Sequence, residues 1–167
     1  AEDGVAIDQV QNDSAHIALT SQMPPSDGYR KQLAKIDFAS CVGTAHPLAK
    51  KKQVRIEEVM EHAFVSPSWA IWGPTGNSAF DGWREDKLPR TIAFRSESLD
   101  LLLELVRRNL AVAHLPMPVV ERESKLAALR VINCPFSCRQ TIRLFATRRN
   151  DFGWLNALIS EIEDRVT

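Results

Sequence analysis

Cys134 and Cys138, separated by three residues, could offer two thiolates to one metal ion. A structural zinc site takes four ligands, and no second cysteine pair or spaced histidine pair completes one, so no metal and no cofactor is expected. His16, His46, His62 and His114 share no spacing and fall in strand, loop and helix contexts, which points to structural roles rather than a ligating or catalytic set. The chain has no nucleophile elbow, no glycine-rich phosphate loop and no clustered carboxylates, so no catalytic residue is assigned. Lys50, Lys51 and Lys52 form the one dense basic run, which reads as a solvated turn. Ser96 stands where a helix cap belongs, with Glu97 and Asp100 after it where the helix dipole favours negative charge.

Those groups must be positioned by an alternation of strand and helix patterns. Val5, Ile7 and Val10 suggest the tail of a helix, Ala15 to Leu19 a strand ending in Thr20 and Ser21, and Leu33 to Val42 a second strand. Val54 to Met60 reads as a short helix, and Ala63 to Val65 as a strand running into Ser66, Pro67 and Ser68. Trp69 to Gly76 is irregular, with Phe80 and Trp83 entering another helical pattern. Thr91 to Phe94 is a strand. The helix after it is the clearest element, with Leu99, Leu102, Leu103 and Val106 on one face, Arg107 and Arg108 at its end and Asn109 as its exit.

Leu110 to Leu115 is short and apolar, as in a strand covered on both faces of a parallel sheet, and Pro116 and Pro118 stop it. Val119 to Leu126 reads as a helix, Leu129 to Ile132 and Thr141 to Thr147 as strands, and Trp154 to Val166 as a helix capped by Asn150 or Asp151. The whole predicts an α/β protein with mostly parallel sheets, whose ligands bind beyond the C-terminal ends of the strands.

Composition excludes several classes. With 167 residues there is room for one domain or two small lobes, and 44% hydrophobic against 25% charged residues argues for a buried core rather than disorder. Equal totals of 21 basic and 21 acidic residues give no field that draws the chain onto nucleic acid or anionic lipid. Three cysteines suit a reducing cytosol better than a disulfide framework. No apolar run approaches the roughly 18 residues of a membrane span, and Ala1 to Asp8 is acidic with no apolar core of a signal segment, so a cytoplasmic protein is expected.

Four segments resemble the regulatory domain of bacterial LysR-type transcriptional regulators. Ser14-Ala-His-Ile-Ala-Leu is similar to that family's "gelDlai" strand, and Phe38 to Ala49 to its "lvlv.p..HPLA" signature, the most specific of the four. Ile56 to Val65 resembles "l.dL...pfi", and Ser96 to Pro116 resembles "s...l..lVaaGlGiallP". Asn109 and Ala111 replace that last motif's glycines; asparagine tolerates a left-handed exit, whereas alanine adds a methyl where backbones pack.

The resemblance implies an α/β fold of the two-lobed type II periplasmic-binding-protein kind, lobe one formed by residues 1–64 with 142–167 and lobe two by 65–141. The family's opening strand and helix, and its DNA-binding helix-turn-helix, find no counterpart before Ser14. It implies a small effector held between the lobes by Thr20, Ser21, Ser66, Ser68, Trp69, Ser96, Leu115 and Pro116. Hydroxyls at helix N-termini suit an organic acid. It further implies contact with DNA only through the missing headpiece and a homodimer or homotetramer in the full-length regulator, with no membrane. Two other readings stand beside it. A transporter's solute-binding protein would carry an export signal in its full gene, and an α/β enzyme would turn its ligand over.

Overall fold

The structure is a computed structural model that describes residues 3–20, 22–68, 81–146 and 153–166. Packing divides the chain into two units, Ala1–Ile36 with Gln140–Thr167, and Asp37–Arg139.

In the first unit, α1 (Asp3–Gln11) precedes β1 (Ile17–Thr20), which pairs antiparallel with β9 (Arg139–Ala146), Ile17 opposite Ala146 and Thr20 opposite Arg143. Ile7 and Val10, one helical turn apart, press from α1 onto Ala18 and Phe145 and form this unit's core. The helix suggested by Val5, Ile7 and Val10 is thus α1, which stands ahead of β1. The C-terminal helix α5 spans Gly153–Val166, and its expected caps Asn150 and Asp151 lie outside the described residues.

The long strand β2 (Tyr29–Gly43) carries the chain into the second unit. There its end pairs antiparallel with β6 (Ala113–Pro116) and with β7 (Leu126–Ala128), Phe38 opposite Pro116 and Gly43 opposite Leu126. These pairings lie within the second unit. β4 (Phe64–Pro67) runs parallel to β5 (Ile92–Ser96) on one side and is bridged in parallel to Val112 on the other. A short parallel pair joins β3 (Val54–Arg55) to β8 (Val131–Ile132), with α2 (Ile56–Met60) following β3.

The sheets are thus mixed rather than mostly parallel: β1–β9, β2–β6 and β2–β7 are antiparallel, and β3–β8 and β4–β5 parallel. The apolar run reports burial on both faces, which residues 111–115 have while Leu110 is exposed, and burial says nothing of direction. Two helical expectations also fail. Residues 81–90 are turns around buried Trp83, whose Nε1 donates to the Leu88 carbonyl at 2.7 Å, and Phe80 lies outside the described residues. Helix α4 (Met117–Glu121) stops well before Leu126, which belongs to β7.

Two apolar cores clothe the two faces of β4 in this unit. Val65, Ala113 and Leu115 meet Leu102, Leu103 and Val106 of α3 (Leu99–Arg107) on one side; Phe64, Val112, Val42, Val54, Val59 and Trp83 meet on the other. Gly43 lies under the C-terminal end of α3, where Asn109 leaves the helix at φ 60°. A Cβ on Gly43 would stand 2.8 Å from the Val106 carbonyl oxygen and 2.9 Å from that of Arg107, backbone atoms that cannot step aside. Gly43→Ala should therefore cost about 1–3 kcal/mol, read as a lower urea midpoint at unchanged slope.

Candidate functional site

The register of three strands builds one rim. Pro67 of β4 stands opposite Ser96 of β5, and the Ser68 amide donates to the Ser96 carbonyl at 2.9 Å just beyond. On the other edge an isolated parallel bridge sets Phe64 level with Val112, and strand spacing carried on from that bridge brings Leu115 near Pro67. The C-terminal ends of β4, β5 and β6 therefore finish side by side and place Ser68, Ser96, Leu115 and Pro116 along one edge.

Strand pleating then separates these groups by face, because paired residues share a face and successive ones alternate. Ser96 shares the side of Pro67, Val65 and Leu115, which is the side of α3. Ser66, one residue earlier, has the opposite side, with Phe64 and Val112. Ser66 and Ser96 are thus neighbours along the rim but do not converge on one point. Thr20 belongs to the first unit, where it is buried and its Oγ1 accepts from the Gln22 amide at 3.0 Å. Ser21 and Trp69 lie outside the described residues, as does Trp72.

Ser96 does not cap α3. The cap is Ser98, whose Oγ accepts from the Leu101 amide at 3.3 Å. Ser96 sits one step outside, its Oγ accepting from the Ser98 amide at 3.1 Å and donating to the Ser98 carbonyl at 2.8 Å. This tight turn brings the chain from the strand end to the start of the helix, and leaves the Ser96 oxygen beside the positive end of a nine-residue helix. Asp100 is then the acidic residue of the first turn, and Glu97 precedes the helix.

His114 is the rim residue that sequence reasoning passed over. It stands level with Ser66, on the same face, and is buried with its Nδ1 lacking any hydrogen-bond partner. Its ring stacks on Phe38 at 5.6 Å and meets Trp83 edge-on at 5.2 Å. Burial, with a lesser contribution from Arg90, pulls its pKa down from 6.5 to about 4 against the opposing pull of Asp81. The signal lay in a polar residue inside an apolar run, at Ala113-His114-Leu115.

Below it a buried ion pair anchors the same face. Arg90 donates to both carboxylate oxygens of Asp81 at 2.8 Å, with neither side chain appreciably exposed, and reaches Glu85 at 2.8 Å. Its guanidinium also lies over Phe64 and Trp83, 5.1 and 4.9 Å from their ring centres. The most specific sequence signature has a structural task elsewhere. His46 Nδ1 accepts from the Leu48 amide at 3.2 Å, starting the turn Pro47–Lys50, and its ring meets His62 edge-on at 4.7 Å.

Among the described residues no group of three or more metal-ligating side chains gathers, and no helix is long and apolar enough to cross a membrane.

Against known proteins, the family model described as the LysR substrate binding domain matches residues 2–155. No curated protein matches in sequence. Several solved structures share the fold. The regulatory domain of CcmR from Synechocystis PCC6803, solved in complex with 2-PG, is 12% identical at a TM-score of 0.74, over 100% of this chain and 81% of that one. HinK, a LysR family transcriptional regulator from Pseudomonas aeruginosa, is 12% identical at a TM-score of 0.71, over 99% of this chain and 58% of its own. Full-length CbnR complexed with its target DNA is 14% identical at a TM-score of 0.71, over 100% of this chain and again 58% of its own. The chain thus spans little more than half of the full-length regulators.

His114 makes the acid limb of stability specific to one residue. Its folded pKa is depressed, so between pH 6.5 and about 4 the unfolded chain takes a proton that the folded chain refuses, and stability falls as pH drops. At 1.36 kcal/mol per unit this amounts to about 3 kcal/mol, all of it gone by pH 4. His114→Leu should remove that component, narrowing the stability difference between pH 7 and pH 4 in denaturant titrations; an identical pH profile in the variant would refute it.

Proposed function

Because the chain belongs to the LysR substrate binding domain family, we propose that it binds a small organic acid at the rim of β4, β5 and β6 and passes the occupancy on as a signal. The observation that carries this is the rim itself: three strand ends level with one another, with Ser68 and Ser96 at the N-terminal end of α3. A carboxylate there meets hydroxyl and amide donors and the positive helix end together. Leu115 and Pro116 supply the apolar flank.

The domain acts without turnover. Its one cysteine in this core, Cys41, is buried with its thiol pushed up to about 12 by loss of water, and His114 faces ring edges rather than solvent. Neither is a competent nucleophile or base at neutral pH. Binding becomes a signal only if the ligand prefers one state of the regulator, since equal affinity for two states shifts neither. DNA contact then falls to another part of a longer chain, in an oligomer, within the cytoplasm.

A thermal-shift screen of short mono- and dicarboxylates, with chloride and phosphate salts as controls, tests this reading. At least one carboxylate should raise Tm, and Ser96→Ala should weaken that compound roughly tenfold, the loss of one hydrogen bond to a charged group. A panel without a hit, or a hit whose affinity ignores both Ser96→Ala and Ser68→Ala, would remove the rim as the site.

A further inference from the structure

Cys134 and Cys138 take no part in the rim. They lie in the segment of residues 133–138 that joins β8 to β9, neither helix nor strand, entered through Asn133 at φ 63°. Both are partly exposed, in contrast to Cys41. Four positions apart on one short irregular segment, they lie near enough for each to feel the other, the Cys134 sulfur holding the proton on Cys138. A disulfide needs Cα atoms about 4.4–6.8 Å apart and sulfurs near 2.05 Å, a span that two neighbouring thiols on a segment with no helix or strand to hold it can reach by local adjustment.

We propose that Cys134 and Cys138 form a reversible disulfide by exchange with a low-molecular-weight disulfide. The Cys134 thiolate attacks one sulfur of the small disulfide, forms a mixed disulfide and releases the other half as a thiolate. The Cys138 sulfur, giving its proton to solvent, attacks the Cys134 sulfur and expels the second half. Two protein thiols are oxidised, one small disulfide is reduced to two thiols, and the two protons lost by the protein end on them.

The electrostatics set that order. Burial pushes the Cys138 thiol up to about 12, helped by the charge on Cys134 and by the hydrogen bond to it, with Asp37 adding further. With Cys138 held protonated, the first attack falls to Cys134. Capping it as a mixed disulfide removes its charge and its acceptor, which eases the loss of the Cys138 proton as the bond closes, while burial still opposes it. The segment is tied to the rest of the unit at two points. The Cys138 carbonyl accepts from the Phe38 amide at 2.6 Å, and the Phe136 ring meets Trp83 at 5.1 Å. Phe38 stands opposite Pro116, so closure acts on a strand pair that ends at the rim.

The test is a redox titration of the whole chain in buffers of glutathione and glutathione disulfide, quenched in acid, alkylated after denaturation and read by mass spectrometry. Alkylatable thiols should fall from three to one in a single two-electron step, with a Cys134–Cys138 linked peptide and full recovery in dithiothreitol. Cys138→Ser should instead trap glutathione on Cys134. Three thiols surviving throughout, or glutathione adducts on the wild-type chain with no linked peptide, would overturn the proposal.

Discussion

The second unit hangs on the backbone of β4. All four of its residues are buried, so no water can satisfy its amides and carbonyls, and an unpaired buried group would cost a large part of a domain's net stability. The ladder closes on both edges. Toward β5 the Phe64 amide donates to Thr91 and the Ser68 amide to Ser96, and toward β6 the Val65 amide donates to Val112 while the Val112 amide returns to Ala63. These bonds fix which residues are level, and level residues make the rim.

The polar groups packed against that strand cost more than apolar ones would. A buried Arg90–Asp81 pair recovers its desolvation only through geometry, and here the fork is bidentate, with the flat guanidinium face over two aromatic rings. Its return is a fixed position for Trp83, against which Phe64, His114 and Phe136 all lie. His114 is the weaker member of this group, stable only as the neutral ring.

Much of this was legible in residue order because period and punctuation are local. The α3 stripe, its Asn109 exit, the strands at Ile17, Phe64 and Ile92 and the Pro118 helix start all follow from spacing and turn chemistry. Partnership is not local. Nothing in residues 110–116 says that β6 pairs antiparallel with β2 while Val112, just before it, is bridged in parallel to Phe64. The cap at α3 was misplaced by two residues, because Ser96 and Ser98 are both good caps and the choice depends on where β5 ends. Ser66 and Ser96 looked equivalent because pleat orientation appears only with register.

Register also limits how such a rim can respond to a ligand. A slip of one residue would turn Val65 and Leu115 from the α3 core to the Trp83 side and carry Phe64 and Val112 the other way, exchanging two packed cores at once. No small ligand repays that. Occupancy must therefore act through parts that move without breaking the ladder: the turn from Ser96 to Ser98, the first turn of α3, or the Pro116 end of β6. The last of these is where Phe38 meets the Cys134–Cys138 segment, its amide donating to the Cys138 carbonyl just before β9 begins beside β2. A turn closed by its own hydrogen bonds changes shape without breaking a ladder, and that makes the Ser96 to Ser98 turn, rather than the buried centre of β4, the adjustable part of the unit.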